Sequence, residues 1–144
     1  MKIAIINGPN LNLLGQREPG IYGQKSFEEF IQELRLLFPN VELSYFQSNI
    51  EGEIVSALQQ SALSSQGIVL NPAAYSHTSV AIGDAIAAIK VPVVEVHISN
   101  IQAREEFRKL SYVSAKAAGT ITGLGLKGYE LAVQWLIHQK HHGG

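Results

Sequence analysis

Apolar positions in this chain follow two rhythms. Short, nearly continuous runs rich in Val and Ile recur at Lys2 to Ile6, Gly67 to Leu70, Val93 to His97 and, more weakly, Gly119 to Thr122. Such runs read as strands buried on both faces. Between them, apolar residues return every three or four positions. Phe27, Phe30, Ile31, Leu34 and Leu37 or Phe38 form one stripe, opened by the capping-box spacing Ser26-Phe-Glu-Glu29 and stopped at Pro39-Asn40. A second helix runs to about Ser64 with Ile54, Leu58 and Ala62 inward and Ser48 or Asn49 as its cap. A third covers roughly Val80 to Ile89. The last runs from about Lys127 to His138, with Leu131, Trp135 and Leu136 packing, before a frayed tail at His141 to Gly144. Val41 to Phe46 alternates apolar and polar, as a half-exposed strand near an edge does. Helical pattern is weak over Gln102 to Lys109.

Strands that alternate with helices predict an α/β fold, a doubly wound five-stranded parallel sheet with helices on both faces. Right-handed crossovers make the flavodoxin-like order 2-1-3-4-5 the natural one. We read residues 1–144 as a single domain. Ligands of such sheets bind beyond the carboxyl ends of the strands, at the switch point between strands 1 and 3. That places three segments at the site: Asn7 to Tyr22, Asn71 to Ser79 and His97 to Ile101.

These segments carry chemistry. The first is a long loop punctuated by Gly8, Pro9, Gly15, Pro19, Gly20 and Gly23, and long ordered loops tend to be functional. It holds Asn7, Asn10, Asn12, Arg17 and Tyr22. A free phenol ionises near ~10, and a guanidinium within a few ångströms lowers that by roughly 1–3 pH units. Arg17 beside Tyr22 therefore suits a proton acceptor; the alternative is that Tyr22 packs on the core and Arg17 pairs with Glu18. Glu95 and His97, two apart on one strand, share a face. A carboxylate beside imidazole fixes its tautomer and supports its protonated form, as a general acid requires, although a histidine at a strand end is often only hydrogen-bonded structure. His77 and Ser79 begin the third helix and Ile98-Ser99 follow strand 4, where backbone N–H groups attract anions; Ser79 equally serves as an N-cap. Arg108 is a cation able to reach back to an anionic ligand.

Composition narrows the field. Formal net charge is -1, from 11 Lys and Arg against 12 Asp and Glu, which argues against nucleic acid as partner. There is no cysteine, which excludes thiol catalysis and cysteine zinc sites. No apolar run approaches the ~20 residues of a membrane span, and Met1-Lys2-Ile3 leads straight into a strand without a signal pattern, so a cytoplasmic protein is expected. Gly123-Leu-Gly125-Leu-Lys-Gly128 matches a dinucleotide fingerprint but follows the last strand, and reads as a tight strand-to-helix turn. Tyr112 and Lys116 have the Tyr-x-x-x-Lys spacing of short-chain dehydrogenases without the glycine-rich first loop those need. His138, His141 and His142 read as a solvated cluster.

Taken in order, Asn7-Gly-Pro-Asn-Leu-Asn-Leu-Leu-Gly-Gln-Arg-Glu-Pro-Gly-Ile-Tyr-Gly23, Asn71-Pro-Ala-Ala-Tyr-Ser-His-Thr-Ser79, Glu95-Val-His-Ile-Ser-Asn100, Arg104-Glu-Glu-Phe-Arg108 and Gly123-Leu-Gly-Leu-Lys-Gly-Tyr129 resemble the type II 3-dehydroquinase family over the whole chain. The resemblance implies a cofactor-free, metal-free anti elimination of water from 3-dehydroquinate, in the shikimate or quinate pathway. It implies Tyr22 as base, promoted by Arg17, an enolate stabilised by a water on Asn12, and His97, oriented by Glu95, as acid. Asn71, His77, Ser99 and Arg108, with the backbone N–H groups of Ile98 and Ser99, would bind substrate. The assembly it implies is a homo-dodecamer, a tetramer of trimers, with Asp84 reaching a neighbour's site. Three positions depart from the family pattern: Gly83 where a basic residue is usual, Ala73 where glycine is common, and Lys109-Leu110 where many members have histidine.

Overall fold

Five strands, β1 (Lys2–Asn7), β2 (Glu42–Gln47), β3 (Gly67–Asn71), β4 (Val93–His97) and β5 (Gly119–Thr122), form one all-parallel sheet in the order β2-β1-β3-β4-β5. The structure is a computed structural model that describes residues 1–15 and 25–143; Arg17 and Tyr22 lie outside the described residues. The order is the one the crossover rule favours. β3 and β4 are buried along their whole length, whereas β2 alternates, as an edge strand with one covered face should.

Parity along the strands sorts the core into two layers. Ile3, Ile5, Val69, Val94 and Val96 face α1 (Phe27–Leu37) and α4 (Lys127–His142). Ala4, Ile6, Ile68, Leu70 and Val93 face α2 (Glu51–Ser64) and α3 (Val80–Ala88). Ser26 caps α1, its Oγ accepting from the Glu29 N–H at 3.1 Å, and Ser79 caps α3, accepting from the Ile82 N–H at 2.9 Å. Among the described residues no helix is long and apolar enough to cross a membrane.

Several details differ from the sequence reading. Neither Ser48 nor Asn49 is the N-cap of α2; Ile50 takes that place, because Ser48 bonds to the Ile50 N–H and Glu53 while Asn49 receives the Asn10 N–H at 3.0 Å. The weak pattern over Gln102 to Lys109 is two 3-10 turns, Ile101–Ala103 and Glu106–Lys109, rather than a helix. α4 does not fray after His138 but continues to His142, with the rings of His138 and His142 stacked at 4.5 Å one turn apart. Its buried stripe is Tyr129, Ala132, Val133 and Leu136; Trp135 is 38% exposed, because the helix is rotated to seat Tyr129 between the strands and α1.

The β4–β5 crossover replaces a covering helix with turns, and Val113, fully buried, fills the second core layer in its place. This segment passes so close to α3 that a Cβ on Gly83 would sit 2.4 Å from the Tyr112 carbonyl oxygen. Gly83 is thus required by the approach of the crossover, which accounts for the missing basic side chain.

Candidate active site

The carboxyl ends of β1, β3 and β4 open onto a cleft of about 100 Å³. Its polar lining includes Asn10, Asn71, His77, His97, Ser99 and Arg108. The sheet dictates this gathering: Asn7 and Asn71 are register partners, Leu70 pairs with Glu95, and His97 pairs with Thr122.

Glu95 is wholly buried, and every hydrogen bond it accepts has a separate origin. Oε2 accepts from His97 Nε2 at 2.6 Å and from the Ser76 hydroxyl. Oε1 accepts from the Ser114 hydroxyl and from Thr120 Oγ1 at 3.3 Å. Burial pushes this carboxyl up, but the bond and charge of His97 and the hydroxyls of Ser114 and Ser76 outweigh it, and the group is held below the ordinary carboxylate range. A carboxylate with its lone pairs filled this way stays ionised and carries no proton of its own. Its effect is to orient His97, which is 5% exposed and lines the cleft.

His77 stacks beside His97 with ring centroids 6.1 Å apart. Its Nδ1 lies 2.6 Å from the Leu110 carbonyl oxygen, which only accepts, so Nδ1 carries a proton. Burial lowers its proton affinity; the carbonyl opposes that, and the positive charge of His97 and Arg108 adds to the lowering. Neutral His77 then presents Nε2 as a bare acceptor, and this buried atom has no partner among the described residues. Arg104 Nη1 reaches Ser99 Oγ at 3.4 Å, while Arg108 pairs with Glu105. The two guanidinium groups make this side of the cleft suited to an anion.

A second, neutral cluster lies on the α1/α4 side of the sheet. Tyr129, on α4 and fully buried, donates to Asn7 Oδ1 at 2.8 Å and accepts from Asn71 Nδ2 at 2.9 Å. Asn71 Oδ1 takes the Ala73 N–H at 3.0 Å. Desolvation raises the Tyr129 phenol far above its ordinary value, so it remains a proton donor to Asn7. The bond to Ala73 accompanies a left-handed backbone there, φ 53°, a conformation that disfavours any side chain and explains why glycine suits this position.

Of the residues singled out from sequence, the structure brings together Glu95, His97, Asn71, His77, Ile98, Ser99 and Arg108. It does not bring Asn12 to the cleft: Asn12 is exposed on a 3-10 turn, with Gln47 Nε2 3.5 Å from its Oδ1. Asn10, held at φ 71°, lines the cleft instead. Asp84 is exposed on α3, outside the cleft lining. Sequence reasoning passed over Ser76, Ser114, Thr120 and Tyr129, and named Asn10 only among the polar groups of the first loop. Tyr129 had a signal, since a tyrosine in an apolar helical stripe needs a partner for its hydroxyl; the serines had none. Among the described residues no group of three or more His, Asp or Glu is placed to hold a metal ion.

Comparison with known proteins is consistent along the chain. The family described as dehydroquinase class II matches residues 1–137. A 3-dehydroquinate dehydratase of Campylobacter jejuni (strain 81-176) is 52% identical over 139 residues, covering 95% of this chain and 87% of that protein. One from Exiguobacterium sp. is 54% identical over 138 residues, covering 95% and 94%. The crystal structure of type II dehydroquinase from Propionibacterium acnes superposes with a TM-score of 0.91 at 45% identity, covering 95% of this chain and 96% of that one.

Proposed function

This chain belongs to the class II dehydroquinase family, and we propose that it is a hydro-lyase converting 3-dehydroquinate to 3-dehydroshikimate through an enolate, with Tyr22 as base and His97 as acid. The observation that carries the reading is the buried Glu95–His97 pair opening onto a cleft lined with cations and amides. In the first step the Tyr22 phenolate, promoted by Arg17, takes a proton from the carbon next to the ketone; the electron pair moves to the carbonyl oxygen. In the second, the enolate reforms the carbonyl, the C–O bond breaks, and His97 protonates the departing hydroxyl to give water. The roles of Tyr22 and Arg17 come from the family resemblance.

The enolate needs donors in place before charge develops. Of the loop asparagines, Asn10 rather than Asn12 is the one we assign to hold the stabilising water, because it lines the cleft. Arg108, Ser99 and the N–H groups of Ile98 and Ser99 would grip the carboxylate. His77 Nε2 accepts from a substrate hydroxyl, and Asn71 offers its remaining amide valences to another. No step calls for a metal or organic cofactor. A dodecamer built from trimers, with Asp84 crossing to a neighbour, is supported by the exposure of Asp84 alongside Val80, Phe107, Leu110 and Tyr112; light scattering measures it.

The decisive assay supplies 3-dehydroquinate to purified protein and follows the ultraviolet absorbance of the conjugated enone. Turnover at neutral to mildly alkaline pH is expected, and its absence sinks the reading. Tyr22→Phe should abolish turnover with the fold intact; retained activity disproves the base assignment.

A further inference from the structure

Two of the hydroxyls that meet Glu95, those of Ser76 and Ser114, neither line the cleft nor belong to the strands. Ser114 lies on the β4–β5 crossover, and its hydroxyl is bonded to Glu95 Oε1, on the opposite side of the carboxylate from His97. Ser114 Oγ also lies 3.0 Å from Ser111 Oγ, which accepts the N–H groups of Val113 and Ser114 at 3.1 and 3.0 Å. A hydroxyl has one proton, and beside a carboxylate that only accepts, that proton goes to Glu95. The segment does not depend on this bond for its seat. Val113 is buried in the core, the Tyr112 N–H bonds to the Ser76 carbonyl at 2.8 Å, and the Ala117 N–H bonds to the Val113 carbonyl at 3.1 Å.

We propose that Ser114 is a positioning residue that acts through Glu95: its hydroxyl draws negative charge toward Oε1 and so weakens the hold of Oε2 on the His97 proton. The inference rests on the reading of His97 as the acid. Its logic is electrostatic. Each donor on a carboxylate spreads its charge, and a carboxylate with fewer donors binds an adjacent imidazolium more firmly. Ser114 thereby makes His97 a readier proton donor than a bare Glu–His pair would be. Thr120 Oγ1, from β5, acts on the same oxygen at 3.3 Å and more weakly. The other groups around His97 are Ser76 at 3.2 Å, the His77 ring at 6.1 Å, Thr122 beside it in the sheet, and the cleft cations Arg104 and Arg108. Substituting Ser114 alters none of these.

The test is an NMR titration of the His97 ring in the full-length protein. Ser114→Ala should move its midpoint upward by about half a pH unit, Ser114→Thr, which keeps the hydroxyl, should restore it, and Thr120→Val should give a smaller shift in the same direction. A midpoint that stays or falls in Ser114→Ala overturns the inference, as does failure of the threonine to restore it. Should Ser114→Ala lose its folded spectrum, Thr120→Val decides alone, on the same sign. The alkaline limb of the kcat profile is read in parallel. A midpoint that moves while that limb stays in place removes His97 as the acid and leaves the role of Ser114 standing. An unmoved midpoint removes the role of Ser114 wherever the limb lies.

Discussion

Two buried polar clusters stand at the same edge of the sheet, on opposite faces, and they differ in kind. The cluster under α2 and α3 holds a charge: Glu95, with His97, Ser76, Ser114 and Thr120 around it. The cluster under α1 and α4 is neutral: Asn7, Tyr129 and Asn71, related by one relayed hydroxyl. In the first, all four donors converge on one acceptor. In the second, donors and acceptors are matched in a row, with the Tyr45 hydroxyl beside the Asn7 amide at its end. Burial pushes Tyr45 up to about 12, so that phenol too stays neutral. A buried charge costs far more than a buried amide unless it is fully bonded. The fold places the ion only where an imidazole needs orienting and uses neutral amides where geometry alone is required.

The sharpest break in that contrast is His97→Ala. On the proposal that His97 is the general acid, its removal should lower kcat by about a hundred- to ten-thousand-fold with little change in the circular dichroism spectrum; near-normal turnover with 3-dehydroquinate would reduce the charged cluster to scaffolding. Glu95→Ala comes next. It removes the buried acceptor shared by His97, Ser76, Ser114 and Thr120, and a loss of about 3–5 kcal/mol is expected from urea unfolding.

Glu95 also gives a pH signature. Its folded affinity for protons is depressed, so its contribution to stability is present above the ordinary carboxylate range and is lost as pH falls through the folded value. Wild-type stability should decline through that acid window, and Glu95→Gln should flatten the decline. Tyr129→Phe tests the neutral cluster. It strands Asn7 Oδ1 and one Asn71 N–H, costing about 1–3 kcal/mol in denaturation, with no comparable pH dependence. The smallest effect is Ala73→Gly, which relieves a left-handed backbone and should raise stability by about 0.5–1 kcal/mol; a loss would show that Ala73 is unstrained.

Much of this was legible from residue order. The capping box at Ser26 and the all-apolar β3 sequence Gly-Ile-Val-Leu declare their elements locally, and Glu95 and His97 share a face by parity alone. The β4–β5 crossover was less legible. Gln102 to Lys109 carries good helix formers, yet it forms two 3-10 turns in a crossover whose buried anchor, Val113, comes only after it. Asn10 and Asn12 are chemically identical and two residues apart, so only backbone direction selects which one faces the cleft.

Sequence alone determined the parallel sheet, its order and the strand ends at which chemistry collects, because hydrophobic period and crossover handedness are local properties. It also determined that a carboxylate and an imidazole share one face of β4. Tertiary structure decided what completes each of them. Ser76, Ser114 and Thr120 reach Glu95 from 19 to 25 residues away, and Tyr129 meets Asn7 across 122. Hydrogen-bond partners of buried groups are chosen by proximity in space, and no spacing along the chain encodes that.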